Sequence, residues 1–155
     1  QDTFQWNQEA SLPIWGEPGI SFSLNGLGYW GQVGATQSLW AYNPNTNEWS
    51  QKQDLPMISS GMPAFVANND AYYMPTDSGQ IFVYKYNQEF DSWSEVTLFP
   101  GTYRGGSFVF AVDSMVYMGL GSDAWGNHLI DVWSFNTNSE QFTQLNNFPF
   151  QSIWD

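Results

Sequence analysis

The side chains that could carry acid–base or metal chemistry are few in this sequence. Its only histidine, His128, lies in the longest predicted loop, residues 119–129, between Asp123 and Asp131 in the sequence. A histidine between two carboxylates could act as a general base or as a metal ligand. A lone histidine in a loop is more often exposed or hydrogen-bonded to a neighbour. We therefore treat His128 and Asp123 as candidate binding residues and predict no metal site.

The other carboxylates stand singly in predicted loops and turns, for example Asp77 in a loop predicted at residues 75–79 and Asp113 in a turn. None forms a readable pair of the kind that general acid–base catalysis uses. Residues 43–48 contain oxygen ligand types, but they have the composition of a turn rather than of a calcium loop. The absence of cysteine excludes thiol catalysis and thiolate zinc sites. No glycine-rich loop follows a strand and opens a helix, so nucleotide binding has no support. We predict no catalytic residue and no cofactor.

Apolar–proline pairs divide the chain into units of similar length. The prolines are 43, 44 and 49 residues apart. The pairs are Leu12-Pro13, Leu55-Pro56, Phe99-Pro100 and Phe148-Pro149. Aromatic residues recur seven residues before each proline (Trp6, Trp49, Trp93, Phe142), fourteen before the last three (Tyr42, Tyr86, Phe135) and seventeen after the first three (Trp30, Tyr73, Tyr117). Such a period predicts a repeat protein with one structural unit per repeat.

Each unit has the pattern of four short strands. In the first unit, Ile20, Phe22 and Leu24 alternate with polar residues, as in a half-buried strand. Asn25-Gly26, which follows, is favoured in two-residue hairpin turns. Residues 107–112 of the third unit are almost continuously apolar, which predicts a strand covered on both faces. No segment shows helical periodicity.

The unit length, the four strand-like runs and the Tyr42…Trp49…Leu55-Pro56 pattern resemble the kelch repeat, one blade of a β-propeller. The resemblance covers essentially the whole chain. The family's paired glycines after the second strand are replaced by Gly31, Met74-Pro75 and Gly119-Leu120-Gly121. The alternative WD repeat would show a Trp-Asp ending and a Gly-His start in each unit, and neither recurs.

The resemblance implies an all-β fold, a kelch-type β-propeller of three four-stranded antiparallel blades plus one N-terminal strand. The expected blades are residues 14–56, 57–100 and 101–149. Residues 1–13 would be an orphan outer strand, and residues 150–155 would enter a further blade. Propellers close four to eight blades, and kelch rings usually have six or seven. Three blades would leave two open aromatic faces, so we expect either a longer six- or seven-bladed ring or an oligomer.

The net charge of −12 comes from 15 acidic residues against three cationic ones. Nucleic acid and anionic membranes would be repelled by such a surface. No apolar run reaches 18 residues, so membrane insertion is not expected. Few charges with abundant Asn, Gln, Ser and Trp resemble extracellular bacterial surface proteins. The start at Gln1 fits a mature chain whose signal peptide has been removed. We expect an extracellular or cell-surface location.

Some proteins with kelch-type propeller folds are enzymes. Galactose oxidases with kelch-type blades use a Cys–Tyr crosslink and paired histidines, which this sequence lacks. Sialic-acid mutarotases use acidic, arginine and aromatic groups near the ring axis, and the resemblance places Arg104, Glu17 and Trp15 in matching loops. Arg104 could equally donate hydrogen bonds to loop carbonyls or to an acidic neighbour.

We therefore expect a non-enzymatic interaction or scaffold module that binds a protein partner or further blades of the same ring. The alternative is a carbohydrate-binding or carbohydrate-active propeller, either lectin-like or a sugar isomerase or hydrolase. In both cases loop aromatics would stack on a ligand or pack against a partner. The candidate binding residues on the loop face are Trp15, Glu17, Tyr103, Arg104, Asp123, Trp125 and His128.

Overall fold

A computed structural model describes residues 5–15, 19–32, 36–57 and 63–149. Every regular element in these ranges is a β-strand, which confirms the predicted all-β class. Within the same ranges, no helix has the length and hydropathy that a membrane crossing needs. The strands form three antiparallel sheets that follow one another along the chain.

Each sheet is a meander of neighbouring strands. Sheet 1 contains β1 (Ile20–Leu24), β2 (Leu27–Gly31), β3 (Leu39–Asn43) and β4 (Glu48–Lys52). Sheet 2 contains β5 (Ala64–Ala67), β6 (Asp70–Tyr73), β7 (Thr76–Asp77), β8 (Gln80–Asn87) and β9 (Ser92–Leu98). Sheet 3 contains β10 (Phe108–Val112), β11 (Met115–Gly119), β12 (Val132–Asn136) and β13 (Gln141–Gln144). The short β7 lies in a segment for which the sequence predicted a loop, and it pairs with the start of β8.

The first hairpin of each sheet closes with a two-residue turn. At Asn25-Gly26 both residues have positive φ, of 48° and 78°. Asn68 and Asp113 occupy the same turn position and also have positive φ. Asparagine, aspartate and glycine tolerate this left-handed conformation, so the polar turn residues set the register of all three hairpins.

A stacked Phe–Tyr pair lies across the first hairpin of every sheet, and we call it the first-hairpin pair. The three pairs are Phe22–Tyr29, Phe65–Tyr72 and Phe110–Tyr117, with ring centroids 4.7, 5.1 and 5.4 Å apart. In each pair the two residues are register partners. They are therefore equivalent positions of the three sheets.

A second aromatic pair lies across the last two strands of every sheet, and we call it the second-hairpin pair. The three pairs are Tyr42–Trp49, Tyr86–Trp93 and Phe135–Phe142, with centroids 5.1, 4.9 and 4.7 Å apart. Their members are register partners as well. These are the aromatics that the sequence placed seven and fourteen residues before each proline.

The two kinds of pair meet where one sheet packs on the next. Tyr86 of sheet 2 lies edge-on to Tyr29 of sheet 1, at 5.7 Å between centroids. Phe135 of sheet 3 lies edge-on to Tyr72 of sheet 2 at 5.9 Å. Edge-to-face contacts of this kind are favourable because the positive ring edge meets the negative ring face.

Sheet 2 is buried on both faces. Tyr72 belongs to the core shared with sheet 3, whereas its neighbour Tyr73 belongs to the core shared with sheet 1. Successive residues of a strand point to opposite faces, so one strand supplies both cores. Two residues of the apolar–proline pairs are also buried there. Leu55 lies in the core between sheets 1 and 2, and Phe99 lies in the core between sheets 2 and 3.

The structure corrects two details of the sequence analysis in sheet 3. The strand predicted at residues 107–112 was expected to be covered on both faces, but Phe110 and Val112 are 53% and 55% exposed. The repeat alignment was also one residue out of phase here, because Tyr117 corresponds to Tyr29 and Tyr72. Ten residues separate Pro100 from Phe110, against nine in the earlier units.

The predicted N-terminal strand is not formed in its described part. Residues 5–15 contain no strand, and residues 5–9 are exposed. Residues 1–4 and the predicted entry to a further blade at residues 150–155 lie outside the described residues. Ala10 nevertheless contacts sheet 1, because its carbonyl oxygen accepts a hydrogen bond of 2.9 Å from Trp49 Nε1.

Alkaline titration tests the burial of the first-hairpin pair in sheet 2. Burial first, and then the charges of Asp70 and Glu140, raise the pKa of Tyr72 to about 12 from its ordinary 10.0. The stabilisation is complete below pH 10 and is lost as the pH rises from about 10 to 12, because only the unfolded phenol ionises there. Tyr72→Phe should reduce the loss of unfolding free energy in this range by up to about 1.4 kcal/mol per pH unit.

Urea denaturation at stepped pH measures this slope. Between pH 5 and 8 the slopes of the wild type and of Tyr72→Phe should coincide, which provides the control. An identical slope above pH 10 would contradict the burial of this hydroxyl.

Candidate functional site

Antiparallel pairing brings two segments of sheet 3 to the same end, the one before β10 and the loop between β11 and β12. Gly105 and Ser122 exchange two backbone hydrogen bonds, each 2.9 Å long, and Ser122 also bridges to His128. We call residues 102–106 and 119–131 the loop cluster. Gly121 has φ of 90°, and a Cβ there would lie 2.5 Å from the Gly105 carbonyl oxygen. The close approach of the two segments therefore requires glycine at this position.

The loop cluster is built on a buried ion pair. Arg104 is 1% exposed and donates two parallel hydrogen bonds to the Asp131 carboxylate, of 2.9 and 2.7 Å. It also donates to the backbone oxygens of Thr102 and Leu120 at 3.1 and 3.4 Å. Its guanidinium lies 5.1 Å from the centroid of the Phe99 ring. A planar fork held in this way fixes the two segments relative to each other.

Asp131 is ionised by this arrangement. Burial acts to raise the pKa of its carboxyl group, but the hydrogen bonds from Arg104 and Trp133, with the Arg104 charge, outweigh it and lower the pKa. The Trp133 indole donates to Asp131 Oδ2 over 2.6 Å. Both carboxylate oxygens of Asp131 therefore accept hydrogen bonds from protein donors, which suits a supporting role.

Asp123 organises the tip of the loop. Its carboxylate accepts hydrogen bonds of 2.8 Å from the backbone nitrogens of Trp125 and Asn127 and from Asn127 Nδ2. The hydrogen bond from the Asn127 side chain is the largest effect on the pKa of Asp123, and together with those from the backbone it lowers the pKa although desolvation acts to raise it. The carboxylate therefore replaces the missing backbone partners of the turn, as aspartate commonly does in loops.

The tip presents an indole to solvent. Trp125 is 89% exposed although the backbone beneath it is hydrogen-bonded. His128 is exposed nearby, with Nδ1 3.3 Å from Ser122 Oγ. Across the described part of the chain, no group of three His, Asp or Glu residues could hold a metal ion.

The seven predicted site residues are thus divided. Five of them lie in the loop cluster, where Trp125 and His128 are exposed, Asp123 and Tyr103 are half-buried and Arg104 is buried. Trp15 is fully exposed and precedes β1, the position in sheet 1 that corresponds to the segment before β10. Glu17 lies outside the described residues.

A shallow cleft adjoins the loop cluster. Its volume is about 480 Å3, and its polar lining includes Thr102, His128 and Asp131. Trp133, Gln144 and Asn147 also line it, and none of them was a predicted site residue. Trp133 lies two residues before the repeat aromatic Phe135. Its ring packs against the core, with its centroid 5.4 Å from that of Phe99, but its indole nitrogen donates a hydrogen bond to Asp131 of the loop cluster.

Comparison with known proteins gives a fold relationship. No protein-family model and no curated protein sequence matches the chain. The chain is similar to a solved structure titled "Structure of YjhT", with a TM-score of 0.77 and 17% sequence identity. The match covers 95% of this chain and 57% of that chain, so this chain spans little more than half the length of its structural neighbour. At this identity the likeness extends to the fold alone.

Asp131→Asn should destabilise the protein. Removing one partner of a buried ion pair costs about 3–5 kcal/mol, and we expect the lower end because the Asp131 side chain is 20% exposed. The deficit should be present above pH 4 and shrink as the pH falls through the lowered pKa, where the wild-type carboxylate also becomes neutral. Chemical denaturation at pH 7 and at acidic pH measures both effects.

The control for this prediction is Asp77→Asn, because Asp77 is an exposed aspartate of sheet 2. Equal unfolding free energies for the two variants at pH 7 would show that the ion pair does not hold the loops.

Asp123→Ala should loosen the tip without unfolding the sheets. The amide protons of Trp125 and Asn127 lose their acceptor, so their hydrogen exchange should accelerate by about tenfold or more. Exchange in β10–β13 should stay unchanged. Glu89→Ala, which removes an exposed carboxylate from sheet 2, is the matched control. Unchanged exchange at Trp125 would contradict the role assigned to Asp123.

Proposed function

We propose that this chain is part of a kelch-type β-propeller and acts as a non-enzymatic protein-interaction or scaffold module, with the loop cluster as its binding surface. The serial stacking of the three sheets through equivalent aromatic pairs supports the propeller part of this proposal. The fold likeness to a longer chain supports it as well.

The main support for an interaction role is an exposed tryptophan whose backbone is held by hydrogen bonds. Trp125 is 89% exposed, and its loop is held by Asp123, by the Gly105–Ser122 bridge and by the Arg104–Asp131 pair. Tryptophan is among the residues that most often dominate binding at protein interfaces. A tip that is already ordered costs less conformational entropy on binding, so its indole can contribute more to affinity.

The disposition of the polar groups favours binding over catalysis. The carboxylates of Asp123 and Asp131 both accept hydrogen bonds from protein donors. His128 faces a serine hydroxyl rather than a carboxylate. A general base needs a lone pair directed at substrate, whereas the carboxylate oxygens of Asp123 and Asp131 accept hydrogen bonds from protein donors.

Charge and composition narrow the partner. A net charge of −12 favours a neutral or basic protein surface and disfavours nucleic acid and anionic membranes. The scarcity of charged residues with abundant Asn, Gln and Ser supports a role outside the cell or at its surface.

The cleft beside the loop cluster favours a second candidate, a carbohydrate-binding or carbohydrate-active propeller. Sugars bind where an aromatic ring lies beside several hydrogen-bonding groups, and Trp133, Gln144 and Asn147 meet this description. The volume of about 480 Å3 would accommodate a small saccharide.

Trp125→Ala tests the proposed surface. Immobilised wild type, Trp125→Ala and Phe90→Ala are exposed to the medium and cell-surface extract of the source organism, and captured proteins are quantified. Phe90 is a 73% exposed aromatic of sheet 2 and serves as the matched control. A protein held by wild type and Phe90→Ala should be reduced by tenfold or more on Trp125→Ala, a typical loss for an interface anchor.

Equal capture by Trp125→Ala and wild type would contradict the loop cluster as the binding surface. A glycan array run in parallel distinguishes the second candidate. Saccharide binding that survives Trp125→Ala but is lost on Gln144→Ala would favour the cleft.

A further inference from the structure

Sheet 3 exposes the side chains that the other two sheets bury. Phe65 and Tyr72 of sheet 2 are 6% and 0% exposed, whereas the equivalent Phe110 is 53% exposed. Phe99, from the apolar–proline pair after sheet 2, is 5% exposed, whereas the equivalent Phe148 is 39% exposed. We call this surface of sheet 3, formed by Phe110, Val112, Tyr117 and Phe148, the socket face.

The structure shows twice what covers a surface of this kind. Over the first-hairpin pair of sheet 1 lies Tyr86 from the second-hairpin pair of sheet 2. Over that of sheet 2 lies Phe135 from the second-hairpin pair of sheet 3. By analogy with these two interfaces, a second-hairpin pair is expected to pack over the socket face.

Sheet 1 carries such a pair on its own outer surface. Tyr42 and Trp49 occupy the positions of Tyr86 and Trp93, and they point away from sheet 2 because their neighbours Leu39 and Ala41 form the core with it. We call the surface around Tyr42 and Trp49 the plug face. One chain thus holds both halves of the sheet-to-sheet contact, at opposite ends of its stack.

We propose that the socket face of one chain binds the plug face of a second copy of the same chain. The contact would continue the two sheet interfaces already present, with equivalent residues in equivalent positions. Two such contacts, each joining the socket face of one copy to the plug face of the other, would close a ring of six sheets. These surfaces are separate from Trp125, so this proposal can fail while the proposed function stands.

The turns at the edge of the contact are complementary. In the interface of sheets 2 and 3, Asn68 Nδ2 donates to Asn138 Oδ1 across 3.2 Å. Asp113 is the equivalent of Asn68, and Asn45 is the equivalent of Asn138. In the proposed contact an Asp113 carboxylate would accept a hydrogen bond from the Asn45 amide of the second copy. Both residues are exposed in the single chain.

The N-terminal segment competes for the same place. Ala10 N donates to Asn47 Oδ1 at 2.7 Å, as Gln53 N donates to the equivalent Asp91 at 2.9 Å. Residues 10–13 therefore contact sheet 1 at the position that is equivalent to the one where residues 53–56 contact sheet 2. A second copy would place its residues 146–149 there, so binding has to displace the N-terminal segment.

Sedimentation equilibrium of the full chain tests the proposal at concentrations up to about 0.1 mM, where micromolar association is visible. We expect the mass to rise from 17.6 kDa towards twice that value. Phe110→Asp should abolish association, whereas Phe90→Asp, which changes an even more exposed phenylalanine outside both faces, should leave it unchanged. Circular dichroism confirms that each variant is folded.

Three further variants test the orientation and the competition. Asn45→Asp should weaken association by about tenfold through repulsion with Asp113, and Asn45→Asp combined with Asp113→Asn should restore it. Ala10→Pro removes the N–H donor to Asn47 and should tighten association several-fold. A mass that stays at 17.6 kDa in both wild type and Ala10→Pro overturns the proposal. Association that Phe110→Asp and Asn45→Asp leave unchanged does so too.

Discussion

The edge-on contact of one aromatic ring with a stacked Phe–Tyr pair on the next sheet is the interaction on which this fold depends. It occurs at Tyr86 over Tyr29 and again at Phe135 over Tyr72. A four-stranded sheet cannot bury a face by itself, so each sheet is stable only against a neighbour. Aromatic contacts add about 0.5–1.5 kcal/mol each to the stabilisation that comes from burial. The hydroxyl of Tyr29 also accepts a hydrogen bond of 2.8 Å from the turn residue Gln88 of the neighbouring sheet.

Each sheet uses its faces for stacking on its neighbours. Sequence variation is therefore confined to the connections between strands, at the two ends of each sheet. In sheet 3 the longest connection is folded back on the segment before β10 and fastened by Arg104 and Asp131. The same arrangement leaves Trp125 in solvent. An exposed indole is thereby placed on a frame that the stacked sheets stabilise, and the loop tip can change without disturbing the stack.

Much of the fold could be predicted because its determinants are local in sequence. The proline spacing located the units, and Asn25-Gly26 identified a hairpin that the structure contains. The face of the sheet on which a residue lies was harder to predict. One inserted residue before Phe110 shifts the repeat by one position, and because successive residues of a strand point to opposite faces, such a shift changes the predicted face. The pairing of Arg104 with Asp131 could not be read from the sequence, because it joins positions 27 residues apart through the path of a loop. Trp133 was not among the predicted site residues, because the sequence does not show that its indole nitrogen donates a hydrogen bond to Asp131 while its ring packs on Phe99.

A double-mutant cycle between Tyr72 and Phe135 tests the stacking of the sheets most directly. Tyr72→Leu, Phe135→Leu and the double variant are compared with wild type by urea denaturation. We expect a coupling energy of about 0.5–1.5 kcal/mol between these rings, which belong to different sheets. Tyr42 and Phe135, which lie in sheets that do not adjoin, should show none. A coupling energy of zero between Tyr72 and Phe135 would contradict the arrangement of the sheets described here.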